Sequence, residues 1–139
     1  MIAVDTGFLL ALLDRRDAWH ARAAAFASSA EEGWITTWPV LTESTHMLQR
    51  TIGSRFVQGL LQEVANGAIT TWDIPEARLQ QIPQMMQRYA NLPMDLADAS
   101  LVLLAEHLGH GRILTTDERD FGTYRWKSHK PFHNLLAGN

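Results

Sequence analysis

Met1-Ile2-Ala3-Val4-Asp5-Thr6-Gly7-Phe8-Leu9-Leu10 opens the chain with an apolar, β-capable run too short for a helix. The run stops on a carboxylate, a hydroxyl and a glycine before a second apolar run begins. This is the pattern of a central parallel strand delivering its tip to a site. In open α/β sheets ligands collect outside the carboxyl ends of strands, so Asp5 stands where chemistry is expected rather than where a solubilising charge would go.

Downstream, short strands alternate with helical segments. Phe8 to Leu13 reads as a short helix and Ala18 to Ala30 as a longer alanine-rich one, with Asp17 as its N-cap. Trp34-Ile35-Thr36-Thr37 is a second strand. The helix after it, Trp38 to Arg50, is started by Pro39 and carries Leu41, Thr45, Leu48 and Ile52 as its inner stripe. Phe56 to Asn66 is a further amphipathic helix, stopped by Asn66-Gly67. Ala68 to Trp72 is a third strand, and the helix from Ile74 to Tyr89 is kinked or split by Pro83. The most hydrophobic helix, Met94 to Leu108, ends at Gly109, and a fourth strand, Arg112 to Thr116, ends on Asp117. Phe132 to Leu136 is read as a short fifth strand at the sheet edge. Strands alternating with helices imply parallel crossovers, hence an α/β fold: a three-layer α/β/α sandwich around a central parallel sheet of four to five strands.

At 139 residues and 46% hydrophobic content the chain has the size of one ordinary domain, so residues 1–139 are read as a single domain. The absence of cysteine excludes disulfides, thiolate metal sites and cysteine nucleophiles. No apolar run approaches the roughly 18 residues of a membrane span, and the chain opens directly on a strand, so no secretion signal, no membrane association and a cytoplasmic location are expected. The net charge of −3 cuts against simple nucleic-acid binding, which shows a basic footprint. Carboxylates that hold divalent cations, however, count as negative in the formula and near neutral in the site.

Three later acids, Glu43, Asp98 and Asp117, also fall at or near element ends, and with Asp5 they are read as one metal site. Asp95, in the first turn of its helix, is explained by capping. Asp98 lies a turn further in, where capping no longer accounts for it. An unpaired buried carboxylate is expensive, and no Lys or Arg lies within a helical turn of it. A salt bridge from elsewhere in the chain is the competing explanation. Asp5 could also serve as a helix cap, Asp117 as a turn former, and Glu43 as a solvated helix residue. Against these readings, a doubly wound sheet can place first- and fourth-strand tips side by side, and acids at those tips would then converge by topology.

Magnesium or manganese suits such a cup of carboxylates without histidine, and zinc does not. A cation so held makes a nucleophile of water and offsets charge on a phosphodiester. Thr6 and Thr116 are read as hydroxyls that orient the ligands or water.

Val4-Asp5-Thr6, Glu43 after the second strand, Asp98-Ala99 in the apolar helix and Thr116-Asp117-Glu118-Arg119-Asp120-Phe121 follow one another in an order and spacing that resembles the PIN-domain ribonucleases, most closely the VapC-type toxins of prokaryotic toxin–antitoxin pairs. The resemblance covers essentially the whole chain. It implies a magnesium-dependent endoribonuclease with Asp5, Glu43, Asp98 and Asp117 on the metal, Asp5 and Asp98 the firmest. It also implies an RNA substrate, a homodimer, and a cognate antitoxin whose C-terminal segment lies along the active-site groove. Asp98 is preferred to Asp95 because Ala99 follows it, and Asp120 is read as a turn or cap residue.

Two other readings remain beside it: a catalytically silent PIN fold that binds RNA or antitoxin, and a metal-binding receiver-like module using Asp73. Tyr124-Arg125-Trp126-Lys127-Ser128-His129-Lys130 interleaves aromatics with bases, the combination that stacks bases and tracks phosphates. A solvated loop with Trp126 packed on the domain explains it equally. Arg15, Arg16, Arg50, Arg112 and Arg119 are further candidates for phosphate contact, and His20, His46, His107 and His110 are read as surface or capping residues.

Overall fold

Three-residue strand β1 (Ile2–Val4) is buried at every position and lies in the middle of the sheet, as its unbroken apolar run requires. In the computed structural model, which describes residues 1–137, it is followed by α1 (Thr6–Leu13), α2 (His20–Ser29), β2 (Trp34–Thr37), α3 (Trp38–Thr51), α4 (Ser54–Ala65) and β3 (Ile69–Trp72). A 3₁₀ turn (Glu76–Arg78), α5 (Gln81–Arg88), α6 (Leu96–Leu108), β4 (Arg112–Leu114), α7 (Glu118–Thr123) and the short strands β5 (Arg125–Trp126), β6 (Lys130–Pro131) and β7 (His133–Asn134) complete it. The last two residues of the expected domain span 1–139 lie outside the described residues.

Five parallel strands in the order β3-β2-β1-β4-β7 form the middle layer of an α/β/α sandwich, and β5 pairs with β6 in a separate antiparallel hairpin. The fold expectation holds, with the edge strand at His133–Asn134 making the fifth. Because β1 pairs with β2 on one side and β4 on the other, with Val4 opposite Leu114, the tips of β1 and β4 are adjacent. Helix α6 is buried on nearly all sides, from Ala97 through Ala105 apart from Asp98, and packs on β1 and β2. Its C-cap is Gly109 at φ 78°, the left-handed position glycine fills without strain. No helix among the described residues is long and apolar enough to cross a membrane.

Several local expectations are corrected. Pro83 does not split its helix. The break falls earlier, between the 3₁₀ turn and Gln81, and Pro83 occupies the first turn of α5, where a missing N–H costs nothing. The buried stripe of α3 is Val40, Leu41, Ser44 and Leu48 rather than one containing Thr45 and Ile52. Asp17 is not the cap of α2: that helix starts at His20, and the Asp17 carboxylate accepts from the Trp19 N–H (2.8 Å) in the turn ahead of it. Strand β4 ends at Leu114, two residues short of Thr116. Trp126 is buried, with its Nε1 donating to the Pro131 carbonyl (3.0 Å), so it is packed on the domain rather than offered for stacking.

Gly111 is where the hairpin meets the sheet. A Cβ there would stand 2.5 Å from Trp126 Nε1 and 2.9 Å from the Pro131 carbonyl oxygen. Gly111→Ala is therefore expected to cost about 1–3 kcal/mol and lower the thermal midpoint by roughly 3–10 °C, as read by calorimetry.

Candidate active site

Asp5 follows β1 directly and caps α1. Its Oδ1 accepts from the Thr6 N–H (2.6 Å), its own N–H donates to the Leu114 carbonyl (3.1 Å), and only 6% of its surface is exposed. Its Oδ2 accepts from the Thr115 hydroxyl at 2.7 Å. The same Thr115 oxygen accepts from the Asp117 N–H (3.0 Å), so one fully buried hydroxyl ties the β1 tip to the loop after β4. Thr115 is held in turn by Asn134 of β7, which bonds both its N–H (3.2 Å) and its carbonyl (2.9 Å). The orienting role expected of Thr116 belongs to Thr115, a residue whose significance depended on where the strand stopped.

Asp117 is the N-cap of α7, with Oδ1 accepting from the Asp120 N–H (3.0 Å). Asp120 is buried beside it and bonded by Arg119 Nε (3.3 Å), and burial, then the neighbouring Asp117, push its carboxyl above the usual range.

Asp98 departs from expectation in one respect. Helix α6 begins at Leu96, not Met94, so Asp98 sits in its first turn and completes a reciprocal capping box with Asp95: Asp98 N–H to Asp95 Oδ1 at 2.8 Å, Asp95 N–H to Asp98 Oδ2 at 3.2 Å. Capping thus accounts for part of its position, and it is half-buried rather than enclosed. It does not account for its electrostatics. Burial, the Asp95 charge and the Asp5 charge together push the Asp98 carboxyl up to about 8. No arginine answers it, and its remaining neighbour is the Tyr124 hydroxyl (3.3 Å).

Glu43 lies in the second turn of α3 on a half-buried face; burial, and then the Asp95 charge, raise its carboxyl against the lowering effect of the Thr6 hydroxyl. Asp5, the most enclosed of the set, is pushed up to about 6, chiefly by burial against the lowering effect of the Thr115 and Thr6 bonds, with Glu43 and Asp117 adding repulsion.

Asp5 is thus the electrostatic hub: Glu43, Asp98 and Asp117 all act on it or feel it. Among the described residues, none of these four acids is in an ion pair; the five pairs present use Met1, Arg16, Arg78, Arg112 and Arg119. Among the same residues, no three His, Asp or Glu side chains are gathered into a ready-made ligand set; Asp5, Asp98 and Asp117 are each engaged in a helix cap. Donor chemistry nevertheless fits a hard divalent cation. Asp5 and Asp117 follow the adjacent strands β1 and β4, Glu43 lies in the helix after β2 and Asp98 in the first turn of α6. None of them is in an ion pair among the described residues, and carboxylate oxygens keep lone pairs beyond those used in caps. Asp73, by contrast, is exposed after edge strand β3 and takes no part.

The family model of the PIN domain matches residues 2–127. The chain is 27% identical over 122 residues to "Ribonuclease VapC26" of Mycobacterium tuberculosis (strain ATCC 25618 / H37Rv), covering 88% of this chain and 90% of that protein. In three dimensions it is similar to the crystal structure of Mycobacterium tuberculosis VapC20, a Sarcin-Ricin loop cleaving toxin. The TM-score is 0.79 at 21% identity, over 86% of this chain and 92% of the other.

Proposed function

The chain belongs to the PIN domain family, and from that membership and its uncompensated acids we propose that it is a magnesium-dependent endoribonuclease of the VapC type, the toxin of a toxin–antitoxin pair. The observation that carries the reading is Asp5: a carboxylate buried at a strand tip, repelled by three other acids and in no ion pair among the described residues. Burying charge without a partner is costly, and a bound divalent ion is the partner such an arrangement lacks. Similarity to a protein named as a ribonuclease supports the activity.

Asp5, Glu43, Asp98 and Asp117 would hold magnesium, or manganese in its place. When bound, such an ion acidifies water and offsets charge developing on a phosphodiester. The chain's own residues do the rest. Thr115 fixes the Asp5 carboxylate and the Asp117 backbone to one another. Asn134 fixes Thr115. Tyr124, buried and pushed far above the ordinary phenol range by burial and then by the Asp98 charge, stays protonated and donates toward Asp98. A scissile phosphodiester reaches the carboxylates from the open side, where Asp95 is exposed.

Exposed Trp38, Met47 and Leu96 give this side apolar surface for a second copy of the chain or for an antitoxin segment. A homodimer and a cognate antitoxin are proposed with the toxin reading, together with action in the cytoplasm on a single domain spanning 1–139.

Incubation with total RNA tests the activity: cleavage with magnesium and none with a chelator is expected, whereas chelator-resistant cleavage contradicts the metal assignment. A small reading frame immediately upstream encoding a DNA-binding protein tests the antitoxin. The silent-fold alternative predicts antitoxin binding with no cleavage in any arm. Thr115→Val removes the hydroxyl that lowers the Asp5 carboxyl, so magnesium affinity is expected to fall about 10–100-fold with the fold retained; an unchanged titration would remove Thr115 from the site.

A further inference from the structure

We propose that the concave surface between α5, the C-terminal half of α6 and the β5–β6 hairpin is an exosite for a phosphate of the RNA chain, separate from the carboxylates; it rests on the ribonuclease reading and extends it. Gln81, Gln84, Arg88, Arg125, Lys127 and Ser128 line a cavity of about 320 Å³ there. Guanidinium forks, an ammonium, amides and a hydroxyl are the donors that hold phosphate oxygens.

On a chain of net charge −3, three cations line this one cavity. The one acid in the lining, Glu106, is already answered by Arg78 Nη1 (3.0 Å) and by the Lys127 N–H (3.0 Å). Arg88, Arg125 and Lys127 line the cavity together and occur in none of the five ion pairs among the described residues, so no carboxylate neutralises them. Arg112, Arg16 and Arg119, by contrast, are taken by Glu32, Asp14 and Asp120.

The surface is also held in shape before any ligand arrives. Arg125 Nη1 donates to the carbonyls of Gly122 (3.0 Å), Thr123 (3.1 Å) and Tyr124 (2.9 Å), and its backbone N–H donates to the Tyr89 hydroxyl (3.0 Å). Lys127 Nζ and Lys130 Nζ lie 5.9 and 5.2 Å from the centre of the buried Trp126 ring, which attracts both ammonium groups to the hairpin. Lys127 and Ser128 adopt φ of 49° and 67°, left-handed values that non-glycine residues rarely take, and both line the cavity.

Distance fits a single substrate spanning both places. Glu106 and Asp98 lie on one helix, about 12 Å apart along its axis, and Tyr124, which reaches Asp98, directly precedes Arg125. A single strand with one phosphate at the carboxylates thus passes the cavity a few nucleotides away.

The test measures binding of a 20-nucleotide single-stranded RNA by fluorescence anisotropy across a salt series, on an Asp5→Asn parent. Arg125 is left intact because it also ties down the carbonyls of α7. Arg88→Ala with Lys127→Ala in that parent is expected to weaken binding about tenfold and reduce the slope of log affinity against log salt by about 1. Arg22→Ala with Arg55→Ala, an equal loss of charge elsewhere on the surface, is expected to leave both within twofold. Equal effects from the two pairs, or none from the first, would overturn the exosite. Displacement of RNA by 10 mM inorganic phosphate at constant ionic strength would mark a small-anion site instead and overturn it too. A parent that binds no RNA at all would overturn the ribonuclease reading, and is seen before any cavity variant is made.

Discussion

Asp5→Asn is expected to lower the rate of RNA cleavage about a thousandfold while leaving the far-ultraviolet circular dichroism unchanged. The magnitude follows from removing one anionic oxygen donor from a cation whose charge stabilises the transition state, a loss of several kcal/mol. The fold survives because Asn keeps the carbonyl that accepts from the Thr6 N–H, and Asn is a good helix cap. Asp98→Asn is expected to act similarly, since the amide oxygen can still accept from the Asp95 N–H and preserve the capping box. Glu43→Gln, on a more open helix face, is expected to lose less, about tenfold to a hundredfold. A purely structural role for these acids predicts the opposite pattern: full activity per folded molecule, with any loss tracking stability.

Stability of the metal-free protein is expected to fall as pH rises, against the trend set by ordinary carboxylates. Asp5 is raised to about 6 in the folded chain from 3.8. A group raised on folding stabilises fully below its unfolded value and loses that contribution as pH climbs through the folded one. On Asp5's account the window is pH 4 to about 6, worth up to about 3 kcal/mol. Asp98, raised to about 8, extends the decline toward alkaline pH, with its half-exposed position tempering the size. The thermal midpoint without metal is therefore expected to be roughly 5–10 °C higher at pH 5 than at pH 8. Millimolar magnesium should close most of that gap at pH 8, and Asp5→Asn should flatten the metal-free profile. A metal-free midpoint that rises between pH 5 and pH 8 would show that the acids are comfortable without a cation.

Periodicity and topology made most of this architecture legible. An apolar run ending on Asp5, too short for a helix, reads as a buried strand, and the alternation of short strands with helices allows a sheet in which it lies beside β4, as it does. What escaped turned on one or two residues at element ends. Asp95-Leu96-Ala97-Asp98 is a capping box in form, yet the apolar Met94 ahead of it extends the helical pattern past the true start at Leu96, so the sequence places Asp98 a turn deeper than it lies. Thr115 and Thr116 are alike on paper. Only the early end of β4 turns the first of them toward Asp5. The β5–β6 hairpin has two-residue strands and a turn built on Lys127 and Ser128 in place of glycine or asparagine, so it carries no turn signal and its cations read as a loose basic tail.

Calorimetric titration of manganese into the protein at pH 7, in two buffers of different ionisation enthalpy, tests the cation site most directly. Saturable binding that releases about one proton per chain, both lost in Asp5→Asn, is the expected result. No saturable heat up to 10 mM manganese, or the same isotherm from Asp5→Asn, would contradict it.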